Sequence, residues 1–283
     1  MDTHQLAVLI RQHFQEGDPR LPVLPESVIK VRKMVQDESK GAADIAQVVG
    51  SDATFSSTVL RIANSARFNP QGHEIRNLPM AIQRLGGRQT LNLMTAISTQ
   101  MHMTVKNKHL QDILRRNTRH GLLVATAARH LASLIGSVDP DEAFLAGMLF
   151  DIGVAAIISS VPEELIDSSE EECLGVLKNL HREMGGRLLS YWDMPDAFIA
   201  LASHHGVEAD DRPRENLIDL IDVVQFMLHA QNELIFDDVP EGIDVLHYPP
   251  VRRLGVTPIH LAAVEVEMED GFEELQAIFA GIG

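Results

Sequence analysis

One stretch constrains this chain more than any other. It is Ala143–Ala156, AFLAGMLFDIGVAA, an apolar run with a single carboxylate, Asp151, inside it. A helix that is apolar on all sides belongs in a core. A carboxylate carried into that core is costly unless it is paired or holds a metal ion. Asp151 therefore demands partners from elsewhere, and His120, His181, His204, His205 and Asp222 are the candidates. The residue just before it, Phe150, decides much of what those partners can do.

The rest of the chain reads with helical period, and no convincing alternating strand is present. Leu6, Leu9, Ile10 and Phe14 share one face of a first helix that Thr3 can cap and Gly17 can close. Pro22 and Pro25 stiffen the entry to a second helix with Val28, Val31 and Val35 inward. Ser51 or Asp52 starts a stripe of Phe55, Val59, Ile62, Ala63 and Ala66. Pro79 suits the first turn of a helix that ends at Gly86-Gly87. The longest pattern runs from about Lys108 to Ile135 and places Ile113, Asn117, His120, Val124, Ala127 and Leu131 on one stripe, so His120 is expected in the core. Asp139, Pro140 and Glu142 announce the helix that delivers Phe150-Asp151, with a break expected at Gly153. The acidic run Asp167–Glu172 reads as a solvated helix start. Further on, His181 and Asp222 face inward by their spacing from Trp192 and Phe226, and at least one of His204 and His205 must be buried. Beyond about Gln231 a looser segment is expected, then a helix opened by Thr257-Pro258 and broken near Gly271.

Composition narrows the class. The chain has 283 residues, a formal charge of −16 and one cysteine, Cys173. It is long enough for a large core, and a lone cysteine excludes an internal disulfide framework and suits a reducing compartment. No apolar run is expected to reach the roughly 18–20 residues that span a bilayer. The first residues lack the pattern of a signal peptide, so a cytoplasmic location without membrane contact is the expectation. Residues 1–160 carry 17 Lys/Arg and 14 Asp/Glu, whereas 161–283 carry 7 and 26. So acidic a second half argues against extended nucleic-acid contact. Residues 61–88 run the other way, with Arg61, Arg67, Arg76, Arg84 and Arg88 against Glu74. They read as an ordinary basic surface or as a strip for an anion or a partner.

Seven pieces of the chain, in order, resemble one family: LPVLPESV, SDATFSSTVLRIANSARF, IRNLPMAIQRLGG, RHGLLVATAARHLA, DEAFLAGMLFDIG, HREMGGRLLSYWDMP and the SHH that follows. By these the chain is identified as a member of the HDOD group, the HD-related output domains of the HD superfamily. The resemblance implies an all-α fold, an HD-like multi-helix bundle with an additional N-terminal helical sub-domain. The expected division is residues 1–106 for the N-terminal helical part, 107–235 for the HD-like core and 236–283 for a C-terminal helical extension.

In metal-dependent HD phosphohydrolases an early His, a His-Asp doublet and a late Asp form the basic site, and these positions fall on His120, Phe150-Asp151 and Asp222. His181 and the His204-His205 pair match additional ligands of the HD-GYP phosphodiesterase branch. The doublet's histidine is replaced by Phe150, which has no lone pair, and the glycine-tyrosine-proline signature is absent from SHHGVEADDRP. The resemblance therefore implies no catalytic residues and no bound cofactor. His120, Asp151, His181, His204, His205 and Asp222 then form a hydrogen-bonded polar network or, if they hold anything, a divalent transition ion such as Fe, Mn or Zn.

The implied function is a non-catalytic regulatory module in bacterial signal transduction. It would be a stand-alone version that meets other signalling proteins in trans. The alternatives are a phosphohydrolase with an altered ligand set and a small-ligand sensor that uses the old cavity.

Overall fold

Short polar side chains open the best-defined helices. Asp52 accepts from the N–H groups of Thr54 and Phe55, Asn77 from Met80, Asn107 from Leu110, and Asp139 from Asp141 and Glu142. Each satisfies backbone donors that a helix start leaves without an intrahelical partner. Pro79 and Pro140 stand in first turns, where a missing N–H costs nothing.

The computed structural model describes residues 3–14, 22–101, 105, 107–160, 170–206, 213, 216–229 and 244–279. Within them the chain is all helical, without a strand. The helices are α1 (Thr3–His13), α2 (Glu26–Val35), α3 (Ala42–Val49), α4 (Ala53–Asn64), α5 (Leu78–Leu85), α6 (Gly87–Met101), α7 (Lys108–Ile135), α8 (Pro140–Leu149), α9 (Ile152–Ser160), α10 (Glu170–Tyr191), α11 (Asp196–His204), α12 (Asn216–His229), α13 (Pro249–Arg253) and α14 (Pro258–Phe279), with a 3-10 turn at Val245–His247. The segments around Gly17, Asp167 and Gln231 lie outside the described residues.

Two compact units divide the chain. The first comprises Met1–Pro22 with His102–Met268, the second Val23–Met101 with Glu269–Gly283. In the second unit α3 and α4 both pack on α5, and α6 packs against α2, α4 and α5. The Asn64 side chain ties α4 to the following loop, accepting from Ile75 N–H and donating to Ile75 C=O, both at 2.8 Å.

In the first unit α8 and α9 form the centre: every residue from Ala143 to Ile158 is buried. Glycines set how closely their neighbours come. A Cβ added at Gly147 would lie 2.3 Å from Ala125 Cα, so α8 meets α7 nearly backbone to backbone. One added at Gly153 would lie 1.8 Å from the His181 carbonyl oxygen, which does the same for α9 and α10. Around this centre α11 packs on α10, and α12 packs beside α7 and α8. α1 reaches α10 through Arg11 and Glu183, 2.9 Å apart. Trp192 closes the end of α10 by donating to the Pro22 carbonyl at 2.8 Å. The Arg253 fork binds the buried Asp219 carboxylate through two 2.7 Å bonds and fastens α13 to α12.

Three expectations need correction. The helix through Ala143–Ala156 breaks at Phe150-Asp151, and Gly153 lies inside α9, where it serves close packing. Helix α14 runs unbroken through Gly271, a residue that weakens a helix without having to end it. The run Pro140–Ser160 does reach the length and apolarity of a membrane span. Its apolar window is 94% buried within the protein, which makes it a core element.

Candidate metal centre

The break between α8 and α9 puts Asp151 at the centre of the first unit, where it is 5% exposed. His181 comes from the middle of α10 and His205 from the end of α11, 0% and 1% exposed. His205 follows the last residue of α11: its N–H still bonds the Leu201 carbonyl, and its ψ of 148° turns the chain out of the helix directly after it. Gly206 makes that stop possible with a φ of +69°, a left-handed conformation that glycine adopts at no steric cost.

Both imidazoles are held by the nitrogen that faces away from Asp151. His181 Nδ1 lies 3.0 Å from the Leu177 carbonyl and 2.9 Å from that of Lys178, and His205 Nδ1 lies 3.1 Å from the Leu201 carbonyl. Carbonyl oxygens only accept, so each Nδ1 carries the hydrogen, and in the neutral ring Nε2 presents a lone pair. Those Nε2 atoms face each other at 3.3 Å. Asp151 Oδ1 stands 3.2 Å from His205 Nε2 and 3.6 Å from His181 Nε2. Buried as it is, this oxygen has no hydrogen bond of acceptable geometry.

Three electron-rich atoms thus converge without a donor among them, so the cluster needs positive charge. Burial, the largest influence, pushes the Asp151 carboxyl up. With the rings protonated instead, His205 as a donor and the charges of His181, His205 and His120 outweigh it and hold the carboxyl below its ordinary value.

The residues present fit a metal ion. Ligands at about 2.1 Å from a tetrahedral centre stand roughly 3.4 Å apart, and the three separations here are 3.2, 3.3 and 3.6 Å. Two imidazoles and a carboxylate also match the borderline ions Zn, Fe and Mn.

The remaining expected positions do not join this triad. His120 is buried on α7, but the fully buried Phe150 ring stands beside it. The Phe150 centroid lies 5.6 Å from that of His120 and 5.1 Å from that of His205, edge-on to both. Asp222 on α12 uses Oδ1 to accept the Gly206 N–H at 2.8 Å, so it fixes the loop that carries His205. His204 is half-buried and bonds through Nδ1 to the Ala200 carbonyl of its own helix. The five arginines belong to the second unit. Arg76 forks onto Glu74, Arg61 reaches Thr58 Oγ1 at 3.4 Å, Arg67 is half-buried, and Arg84 and Arg88 are exposed. Sequence reasoning did not find Gly206 or the three carbonyls that orient the imidazoles. The only available signal was the glycine that follows the paired histidines.

The model of the HDOD domain matches residues 21–207. A crystal structure from Shewanella amazonensis SB2B, named "Putative metal-dependent phosphohydrolase", superposes with a TM-score of 0.77 at 18% identity, over 98% of this chain and 99% of that one. An HDOD domain protein of unknown function from Geobacter sulfurreducens gives 0.67 at 18% identity, covering 100% and 99%. At such identities these likenesses speak for the fold alone. An uncharacterized protein of Treponema pallidum (strain Nichols) is 20% identical over 253 residues, which is 85% of this chain and 48% of that protein. The chain therefore spans about half the length of that curated relative.

Proposed function

Since the chain belongs to the HDOD domain family, we propose that it is a non-catalytic regulatory module of bacterial signal transduction, acting through contacts with other signalling proteins. The observation that carries this reading is the Phe150 ring. It has no ligand atom, it is fully buried, and it stands edge-on to both His120 and His205. Two-metal hydrolysis needs ions about 3.5–4 Å apart, each with its own ligands, to hold the attacking and leaving oxygens. Here a phenyl ring packs in a T-shaped arrangement with the early histidine, and Asp222 Oδ1 is engaged with a backbone N–H. The apolar core built around Ala143–Ile158 suits a rigid scaffold for partner surfaces.

The test is capture of a signalling partner from host lysate by the full chain. Wild-type and Asp151→Asn protein should retain the same partner equally. Loss of the partner on that substitution, or no partner at all, would count against the reading.

A second reading, a phosphohydrolase with an altered ligand set, draws on the triad. A divalent ion held by Asp151, His181 and His205 would supply Lewis acidity and an activated water. In that reading the three side chains bind the ion, and the Leu177, Lys178 and Leu201 carbonyls keep the imidazoles in the ligating tautomer.

A further inference from the structure

We propose that the outward face of α14, built on Ile259 and Val266, is the docking surface for a basic amphipathic helix of a partner protein. This rests on the regulatory reading and names the surface through which such a module makes its contact.

Helix α14 is apolar on two opposite sides. Leu261, Val264 and Met268 are buried against the protein. Ile259 and Val266 are 79% and 75% exposed, the highest values among the large apolar side chains of the described residues. Seven residues make close to two helical turns, so these two stand nearly in line, about 10.5 Å apart along the axis. Ala262, exposed, and Ala263, half-buried, fill the stripe between them. Spacing of i, i+3, i+4 and i+7 is the pattern by which one helix meets another. A single exposed aliphatic side chain needs no explanation, but a periodic stripe opposite the core face does.

Charge decides what covers it. Helix α14 carries six Asp/Glu and no Lys or Arg. Glu265 and Glu267, both exposed, border the stripe on its two sides. A second copy laying the same stripe against this one would bring those carboxylates together, and an anionic membrane surface would be repelled by them. The two longest stretches of this chain outside the described residues, 161–169 and 230–243, carry three and four acids and no Lys or Arg, so neither complements the rim. A partner helix with aliphatic residues at the same spacing and Lys or Arg on both flanks satisfies the stripe and both carboxylates together.

The test is binding of a synthetic helical peptide to the full chain, followed by fluorescence anisotropy. The peptide has about 18 residues, with leucines at i, i+3, i+4 and i+7 and lysine or arginine on the flanks; its control has glutamate in place of each basic residue. The basic peptide should bind and the acidic one should not. Because the chain has a net charge of −16, attraction alone is not the readout. The double substitution Ile259→Ser/Val266→Ser leaves that charge unchanged and should weaken binding at least about tenfold. Both side chains are exposed, so its melting temperature should stay near that of wild type. Glu265→Gln with Glu267→Gln should weaken binding in dilute salt, with the difference shrinking as salt rises. Val8→Ser, at an exposed aliphatic residue of α1, should leave binding unchanged.

No binding of the basic peptide, or binding that the double substitution leaves intact, would overturn the docking surface while leaving the regulatory role to other surfaces. Self-association of the wild type in sedimentation, or attachment to phosphatidylglycerol vesicles, abolished by the same substitution would overturn it in favour of a second copy or a membrane. Metal-dependent phosphodiester turnover by protein that binds the peptide as expected would refute the non-catalytic role and leave the docking surface standing.

Discussion

Gly153→Ala should be among the most damaging small substitutions in this chain, because it strikes the contact that sets Asp151 against His181. The added Cβ would lie 1.8 Å from the His181 carbonyl oxygen and 2.7 Å from both His181 C and Gly185 N, where ordinary contacts begin at 3.4 Å. Helices α9 and α10 must part by about 1.6 Å to relieve the first of these, and every atom in the way is backbone, which cannot rotate aside. Overpacking of a core typically costs about 1–3 kcal/mol. Because a backbone clash relaxes poorly, this substitution belongs at or above roughly 3 kcal/mol. Gly175→Ala on the same α10 is the control. Nothing lies within 4 Å of its added Cβ, so it should stabilise by about 0.5–1 kcal/mol through helix propensity. Urea unfolding followed by circular dichroism gives both values. A Gly153→Ala variant within about 1 kcal/mol of wild type would refute the close-packing argument.

Two further outcomes follow from the site. Asp222→Ala should cost about 1–3 kcal/mol by leaving the Gly206 N–H without its acceptor, whereas Asp222→Asn, which keeps an oxygen there, should cost clearly less; equal losses in urea unfolding would contradict the role given to that bond. The folded pKa of Asp151 is depressed, so its ionised form stabilises the fold above the unfolded carboxyl value of about 3.9. That contribution is lost as the pH falls through the lower folded value. The stability gap between wild type and Asp151→Asn should therefore be widest above about pH 4 and shrink below it; a gap that widened on acidification would contradict the sign.

Much of the fold was legible because helix starts are local. Asp52 and Asp139 cap the helices their positions announced, and the spacing on α7 puts His120 in the core. The apolar run around Asp151 is the buried centre that its composition demanded. Long-range packing was not legible. Nothing in Gly153 or Gly147 distinguishes a helix breaker from a close crossing until the opposing backbone is known. Which member of the His204-His205 pair is buried depends on how α11 packs, and the tie that holds the following Gly206 comes from Asp222, sixteen residues away. The grouping of residues 1–22 with the second half of the chain rests on contacts such as Trp192 to Pro22, which no periodicity can reveal.

The central claim is that a buried phenyl ring beside Asp151 removes hydrolysis while the scaffold remains. Its most direct test is turnover of a simple phosphodiester by full-length protein supplied with manganese(II), iron(II) or zinc(II). The account predicts a rate no greater than that of the ion alone, for each ion. Turnover that disappears with Asp151→Asn or with a chelator would contradict it.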